Sequence, residues 1–166
     1  LKFEKIDILI NNAGVIYNEP LINLLSKKDK KHSLKNFKKY LDINLTSVFI
    51  VSSIVIEKMI LARSKGVIVN ISSVSAQGNA GQTAYSAAKA GVEALTKTWS
   101  KELGVFGIRV VSIAPGFMNT NSTHQALSDE MIKDVRSKIP LKKLGKARDV
   151  AEAVLFAIKS NYFNGK

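Results

Sequence analysis

Tyr85 and Lys89 stand four residues apart in the stretch AYSAAKAGVEAL, a run of mostly small residues. On a helix, positions i and i+4 share a face, so both side chains can look into one cleft. A free phenol ionises near pH 10 and is a poor base at neutrality. A fixed ammonium beside it favours the phenolate, and each unit of pKa shift corresponds to about 1.4 kcal/mol. A serine hydroxyl from a neighbouring strand end, Ser72 or Ser73, could hold a substrate oxygen. Together these groups form an acid/base device for interconverting a carbonyl and an alcohol, with the hydride supplied by a cofactor. The competing reading is a helix with one aromatic residue and one solvated charge.

The elements that must position these groups are legible in the hydrophobic pattern. IDILINNAG (6–14), VIVNISS (67–73) and IRVVSIAPG (108–116) read as three short buried strands, each ended by polar or turn residues. Ser33 can cap a long helix running towards Gly66, with apolar residues from Leu34 through Ile60 at helical spacing. A second long helix runs from Ala84 to Gly104, and Ser128 can cap another. ARDVAEAVLFAIKS is one more amphipathic helix. Apolar strands alternating with long helices predict an α/β fold, a doubly wound parallel sheet with helices on both faces. Residues 17–32 are expected to be a surface loop. Ligands in such a sheet sit at the carboxyl ends of the strands, which is where Asn11, Asn12, Ser72, Ser73, Pro115, Gly116 and Thr120 fall. Core packing gives no reason for polar residues at all three ends.

The chain has 166 residues, compatible with one domain, and no cysteine, which excludes disulfides and thiolate metal sites and fits a cytoplasmic protein. No segment offers about 20 uninterrupted apolar residues, so no membrane span is expected, and residues 1–14 do not read as a signal peptide. Net charge is +12, and residues 26–40 hold seven lysines against one aspartate. Lysine dominates, with no aromatic ladder between the lysines, so nucleic acid is not the expected partner. His32 and His124 have no partners at metal-ligand spacing, and no metal site is expected.

Asn11-Asn12-Ala13-Gly14, the paired serines after VIVNI, Tyr85-x-x-x-Lys89 and APGFMNT, in this order and at these spacings, resemble the short-chain dehydrogenase/reductase family. The resemblance covers nearly the whole chain and implies a Rossmann-like fold. It makes Tyr85 the proton donor and acceptor. Lys89 would lower the tyrosine's pKa and hold the nicotinamide ribose. Ser73, the second serine of its pair, would hold the substrate carbonyl, although Ser72 has the commoner spacing. Asn44 in LDINLTSVF would hold a water in a proton relay. Asn11, Ala13 and Gly14 would flank the adenosine, and Pro115, Gly116, Met118 and Thr120 would line the nicotinamide and pyrophosphate. NADP(H) or NAD(H) is the implied cofactor, with NADP(H) favoured. GNAGQTAYSAAKAG and IPLKKLGKARDVAEAVLF look most like the branch that reduces 3-oxoacyl groups on acyl carrier protein, and a basic surface suits an acidic carrier. The same substrate class includes thioesters of coenzyme A. The two long helices resemble those through which the family forms homodimers and homotetramers.

The glycine-rich turn that should precede these motifs is not in the sequence. Residues 1–166 are therefore expected to be a single domain corresponding to the catalytic half, about the C-terminal two thirds, of the family's fold. On that expectation the segment alone binds dinucleotide weakly and exposes an apolar strand edge. The alternative is a non-catalytic remnant of a reductase, or a basic module that binds nucleic acid through residues 27–39.

Overall fold

The computed structural model describes residues 5–27 and 29–166; residues 1–4 and Lys28, one of the seven lysines, lie outside the described residues. Three parallel strands, β1 (Ile8–Asn11), β2 (Val67–Ile71) and β3 (Arg109–Ile113), form one sheet in the order β1-β2-β3. The register sets Asn11 opposite Asn70 and Asn70 opposite Ser112, so a polar row crosses the sheet near its carboxyl edge.

Alternation along the strands separates two cores, because successive side chains point to opposite faces. Ile68 and Val110 join Val48, Met59, Val92 and Trp99 on one face. Those partners come from helices α2 (Ser47–Leu61) and α3 (Thr83–Glu102). Val67, Val69 and Val111 meet Val154 and Ala157 of α6 (Ala147–Lys159) on the other. The result is the α/β arrangement expected, with helices on both faces of a parallel sheet. Residues 164–166 run beside β3: Gly165 N donates to Val110 O, and Ser112 N to Lys166 O.

Three features depart from the pattern reading. β1 is not the fully buried strand that its apolar run suggests, since Ile8 and Ile10 are each 44% exposed; among the described residues it is the exposed apolar edge expected where no preceding strand pairs with it. The long helix after Ser33 is not regular. It comprises α1 (Leu34–Leu41), a π turn at Asp42–Thr46 and then α2. Asn44 lies in the π turn and its Nδ2 donates to the Tyr40 carbonyl, the group an α-helix would offer to the backbone of residue 44. The Ser47 amide then reaches Asp42 O, five residues back. Finally, Leu34–Leu61 taken as one helix is long and apolar enough to cross a membrane by length and composition, contrary to the expectation that no segment offers a span. Here it lies against β1 and α3 and supplies Val48 and Met59 to the core.

Two shorter helices, α4 (Asn121–Ala126) and α5 (Asp129–Lys138), follow β3. Each is capped by the hydroxyl before it: Thr120 accepts from the Thr123 amide and Ser128 from the Met131 amide.

Candidate active site

Tyr85 enters on the first turn of α3, and Lys89 follows one turn later. The helix starts there because Gln82 holds it in place. Its Oε1 accepts from Ser75 Oγ at 2.8 Å and Asn79 Nδ2 at 3.0 Å, while its Nε2 donates to Asn18 Oδ1 at 2.9 Å. Gln82 therefore ties the loop after β1 and the loop after β2 to the start of α3, three residues before the tyrosine.

The serine pair divides its work. Ser72 is buried, and its hydroxyl donates to Glu93 Oε1 at 2.9 Å, deeper along α3. Ser73 ends the strand connection, accepts from the Ser75 amide at 3.1 Å and lies near enough to Tyr85 for its hydroxyl to favour the phenolate. Of the two, Ser73 is the one that faces the tyrosine.

Lys89 is buried, and its Nζ donates to Ile71 O at 2.7 Å, at the end of β2. It also lies over the Tyr85 ring, 5.7 Å from the centroid. Burial holds the Lys89 ammonium below its ordinary pKa. The sequence expectation that Lys89 depresses the Tyr85 pKa is not met. Burial raises the phenol above its ordinary value, and only the neighbouring Ser73 hydroxyl pulls the other way. The reason is geometric: the ammonium approaches the ring face and is hydrogen-bonded to a backbone carbonyl.

Asn44 is fully buried, and its Oδ1 accepts from the Val15 amide at 3.0 Å. It thereby fixes the loop leaving β1 against the π turn. Gly14 lies between these groups: a Cβ there would sit 2.8 Å from Asn44 Oδ1 and 3.7 Å from Lys89 Nζ. The structure thus brings Gly14, Asn44, Lys89, Tyr85 and Ser73 together at the carboxyl end of the sheet.

The remaining predicted positions differ in how free their side chains are. Asn11 turns inward, donating to Ser52 Oγ at 2.9 Å and Asn70 Oδ1 at 2.8 Å. Asn70 in turn donates to Thr96 Oγ1 at 2.9 Å, and Thr96 to Val92 O. This buried polar chain ties β1, β2, α2 and α3 together, and leaving one of its members unpaired would cost about 1–3 kcal/mol. Sequence reasoning missed Ser52, Asn70, Thr96 and Gln82; a polar Asn inside the apolar run VIVNI was the available signal. Ala13, Gly14 and Gly116 are exposed at the strand ends. Pro115 O accepts from the Val74 amide, tying the loop after β3 to the turn after Ser73. Met118 pairs with Gly145, and its side chain fills the space where a Cβ on Gly145 would lie. Thr120 serves as the α4 cap.

A family model described as enoyl-(acyl carrier protein) reductase matches residues 1–165. The chain belongs to the short-chain dehydrogenase/reductase family. Among curated members of this family, the 3-oxoacyl-[acyl-carrier-protein] reductase of Thermotoga maritima is 39% identical over 168 residues, covering 99% of this chain and 64% of that protein. The reductase of the same name from Chlamydia pneumoniae is 42% identical over 156 residues, 93% of this chain and 59% of that protein. That of Haemophilus influenzae is 41% identical, with 93% and 60% covered. The chain spans roughly three fifths of the length of these curated reductases.

Proposed function

We propose that the protein carrying this chain is a cytoplasmic NAD(P)(H)-dependent reductase that interconverts a carbonyl and a secondary alcohol, with 3-oxoacyl thioesters as its substrate class. The observation that carries this reading is the convergence of Ser73, Tyr85, Lys89 and Asn44 at the carboxyl end of the sheet, each held by a different contact. The names of the similar reductases support the substrate class.

In this proposal the Ser73 hydroxyl donates to the substrate carbonyl oxygen, and the Tyr85 phenol delivers a proton to that oxygen as negative charge develops on it. The reverse reaction returns the proton to Tyr85. A bound nicotinamide cofactor would supply the hydride. The donor set fits such a group. Ala13, Gly14 and Gly116 leave room at the strand ends, and Lys89 is a buried donor beside Gly14. We assign Lys89 and Tyr85 to the nicotinamide ribose, Ala13 and Gly14 to the adenosine side, and Pro115, Gly116, Met118 and Thr120 to the nicotinamide and pyrophosphate. Asn11 acts from below, by holding the end of β1 to β2. The Asn44 carboxamide is taken up by Val15 and Tyr40, so a relay water would rest on its main-chain carbonyl.

Residues 1–166 form one domain in this reading, and the functional unit is a homodimer or homotetramer. Phe49 and Leu61 of α2 are exposed and line a groove formed with Trp99 and Leu103. Association would cover them, giving a mass by light scattering of two or four chains. Catalysis is tested by NADPH and NADH oxidation with an acetoacetyl thioester. Substrate-dependent oxidation, faster with NADPH, is expected; none with either cofactor would remove the proposal.

A further inference from the structure

The segment expected to be a plain surface loop is a narrow arm. Ile22 and Lys31 pair in antiparallel fashion, Asn23 N donates to Lys30 O at 2.7 Å, and His32 N donates to Leu21 O at 2.8 Å. Its base is firmly held. The Glu19 carboxylate accepts from the Ser33 amide at 2.8 Å and from Asn36 Nδ2 at 3.0 Å, while Tyr17 stacks on Tyr40 with ring centroids 4.0 Å apart. Burial opposes ionisation of Glu19, but the hydrogen bonds from Ser33 and Asn36 prevail and keep its pKa below the ordinary value. Glu19 also bridges to Gln82, the residue that starts the Tyr85 helix.

The tip is apolar and solvent-facing: Leu21, Ile22, Leu24 and Leu25 are 66%, 52%, 74% and 93% exposed. Four large apolar side chains within five residues, bordered by charge, form the kind of patch that marks an interaction site. The bordering charge is basic. Lys27, Lys30 and Lys31 follow the tip, and Lys35, Lys38 and Lys39 continue along α1, where spacings of three and four residues group them on one side. All six are exposed, and among the described residues none forms a salt bridge. The one acid between them, Asp29, accepts from the Lys31 amide. α1 runs directly into the π turn that holds Asn44. Apolar tip and lysines therefore form one exposed surface running from the arm to Lys39 on α1, where the exposed Asp42 follows on the same side.

We propose that the arm and α1 are a docking surface for an acidic protein that carries the acyl thioester, with the leucine tip seated in an apolar patch of that partner and the lysines along its acidic face. The inference rests on the reductase reading above. Basic charge that continues from the tip along α1, the helix that leads into the turn holding Asn44, suits an elongated acidic partner. Lysines without arginine forks or interleaved stacking aromatics do not suit nucleic acid.

The test compares one thioester on two carriers, using the whole protein: acetoacetyl on acyl carrier protein and acetoacetyl on N-acetylcysteamine. In a Leu24→Ser/Leu25→Ser variant and a Lys31→Glu/Lys35→Glu variant, kcat/KM for the carrier-borne substrate is expected to fall about tenfold or more, with the small thioester unaffected. Added salt should weaken the wild-type carrier reaction and leave the small thioester alone. Fluorescence anisotropy of a labelled carrier protein gives binding independently of turnover. Should neither thioester be reduced, the reductase reading fails, and the anisotropy still judges the docking surface. Unchanged carrier kinetics and binding in both variants would overturn the proposal. So would variants that lose binding to phosphatidylglycerol vesicles or to a DNA oligonucleotide while carrier kinetics stay the same.

Discussion

Replacing Tyr85 by Phe is expected to cut carbonyl reduction by about 10²–10⁴-fold, the range that a positioned general acid contributes. The variant removes one oxygen and leaves the ring, so the packing of α3 against the loops around Gln82 persists. The loss should fall chiefly on kcat, because the phenol acts on charge that develops in the transition state, with a smaller rise in KM for NADPH from the lost ribose contact. The direction of the pKa shift adds a second readout. Burial holds the phenol above its ordinary value. Tyr85 should then remain protonated as alkali is added up to and beyond the ordinary phenol range. Ultraviolet difference titration of the wild type against Tyr85→Phe should place the missing tyrosinate signal above pH 10. A variant retaining most of its turnover would remove Tyr85 from the role of acid. A missing signal well below pH 10 would mean that the Lys89 charge, rather than burial, controls the phenol.

How much of this was legible in the sequence depends on what each feature rests on. The three strands and the convergence at their carboxyl ends were readable because Val67–Ile71 and Arg109–Ile113 are short apolar runs that could be buried only in a covered parallel sheet. Tyr85 and Lys89 share a helix face by spacing alone. Which serine meets the tyrosine was not readable, because spacing allows both; Glu93 decides it by taking up Ser72. The π turn was hidden because the apolar period runs through Asp42–Thr46 almost unbroken, and the irregularity goes with side chains that take up main-chain carbonyls, Asn44 on Tyr40 and Ser47 on Ile43. The arm was hidden for the opposite reason. Residues 17–32 show no period at all, and their order depends on the Glu19 contacts to Ser33 and Asn36, up to 17 residues away. The sign of the tyrosine shift also escaped, since sequence shows that an ammonium is near but not that it points at a ring face and a carbonyl.

Lys89→Met should separate function from stability. The side chain is 5% exposed, and burial lowers the pKa of its ammonium. The folded value therefore lies below the unfolded one, and between the two the unfolded chain binds more protons. Stability then rises with pH across that window, up to the ordinary lysine range near 10.4. Below the window the full cost of enclosing the charge is present. Methionine is of similar length and carries no charge. It gives up the 2.7 Å hydrogen bond to Ile71 O and removes that enclosure cost. Even a buried ion pair is often replaced by apolar groups of similar volume with a neutral or stabilising outcome, and the Lys89 ammonium meets a carbonyl rather than a carboxylate. The thermal midpoint of Lys89→Met at neutral pH is accordingly expected to equal or exceed that of the wild type, and its alkaline rise in stability should vanish. Turnover should fall by about 10²–10³-fold, the effect of deleting one preorganised donor. A markedly destabilised variant that keeps the wild-type pH dependence would instead make the ammonium a structural tie between α3 and β2. A stable but inactive variant would identify Lys89 as a charge kept at a cost to the fold for the chemistry beside it.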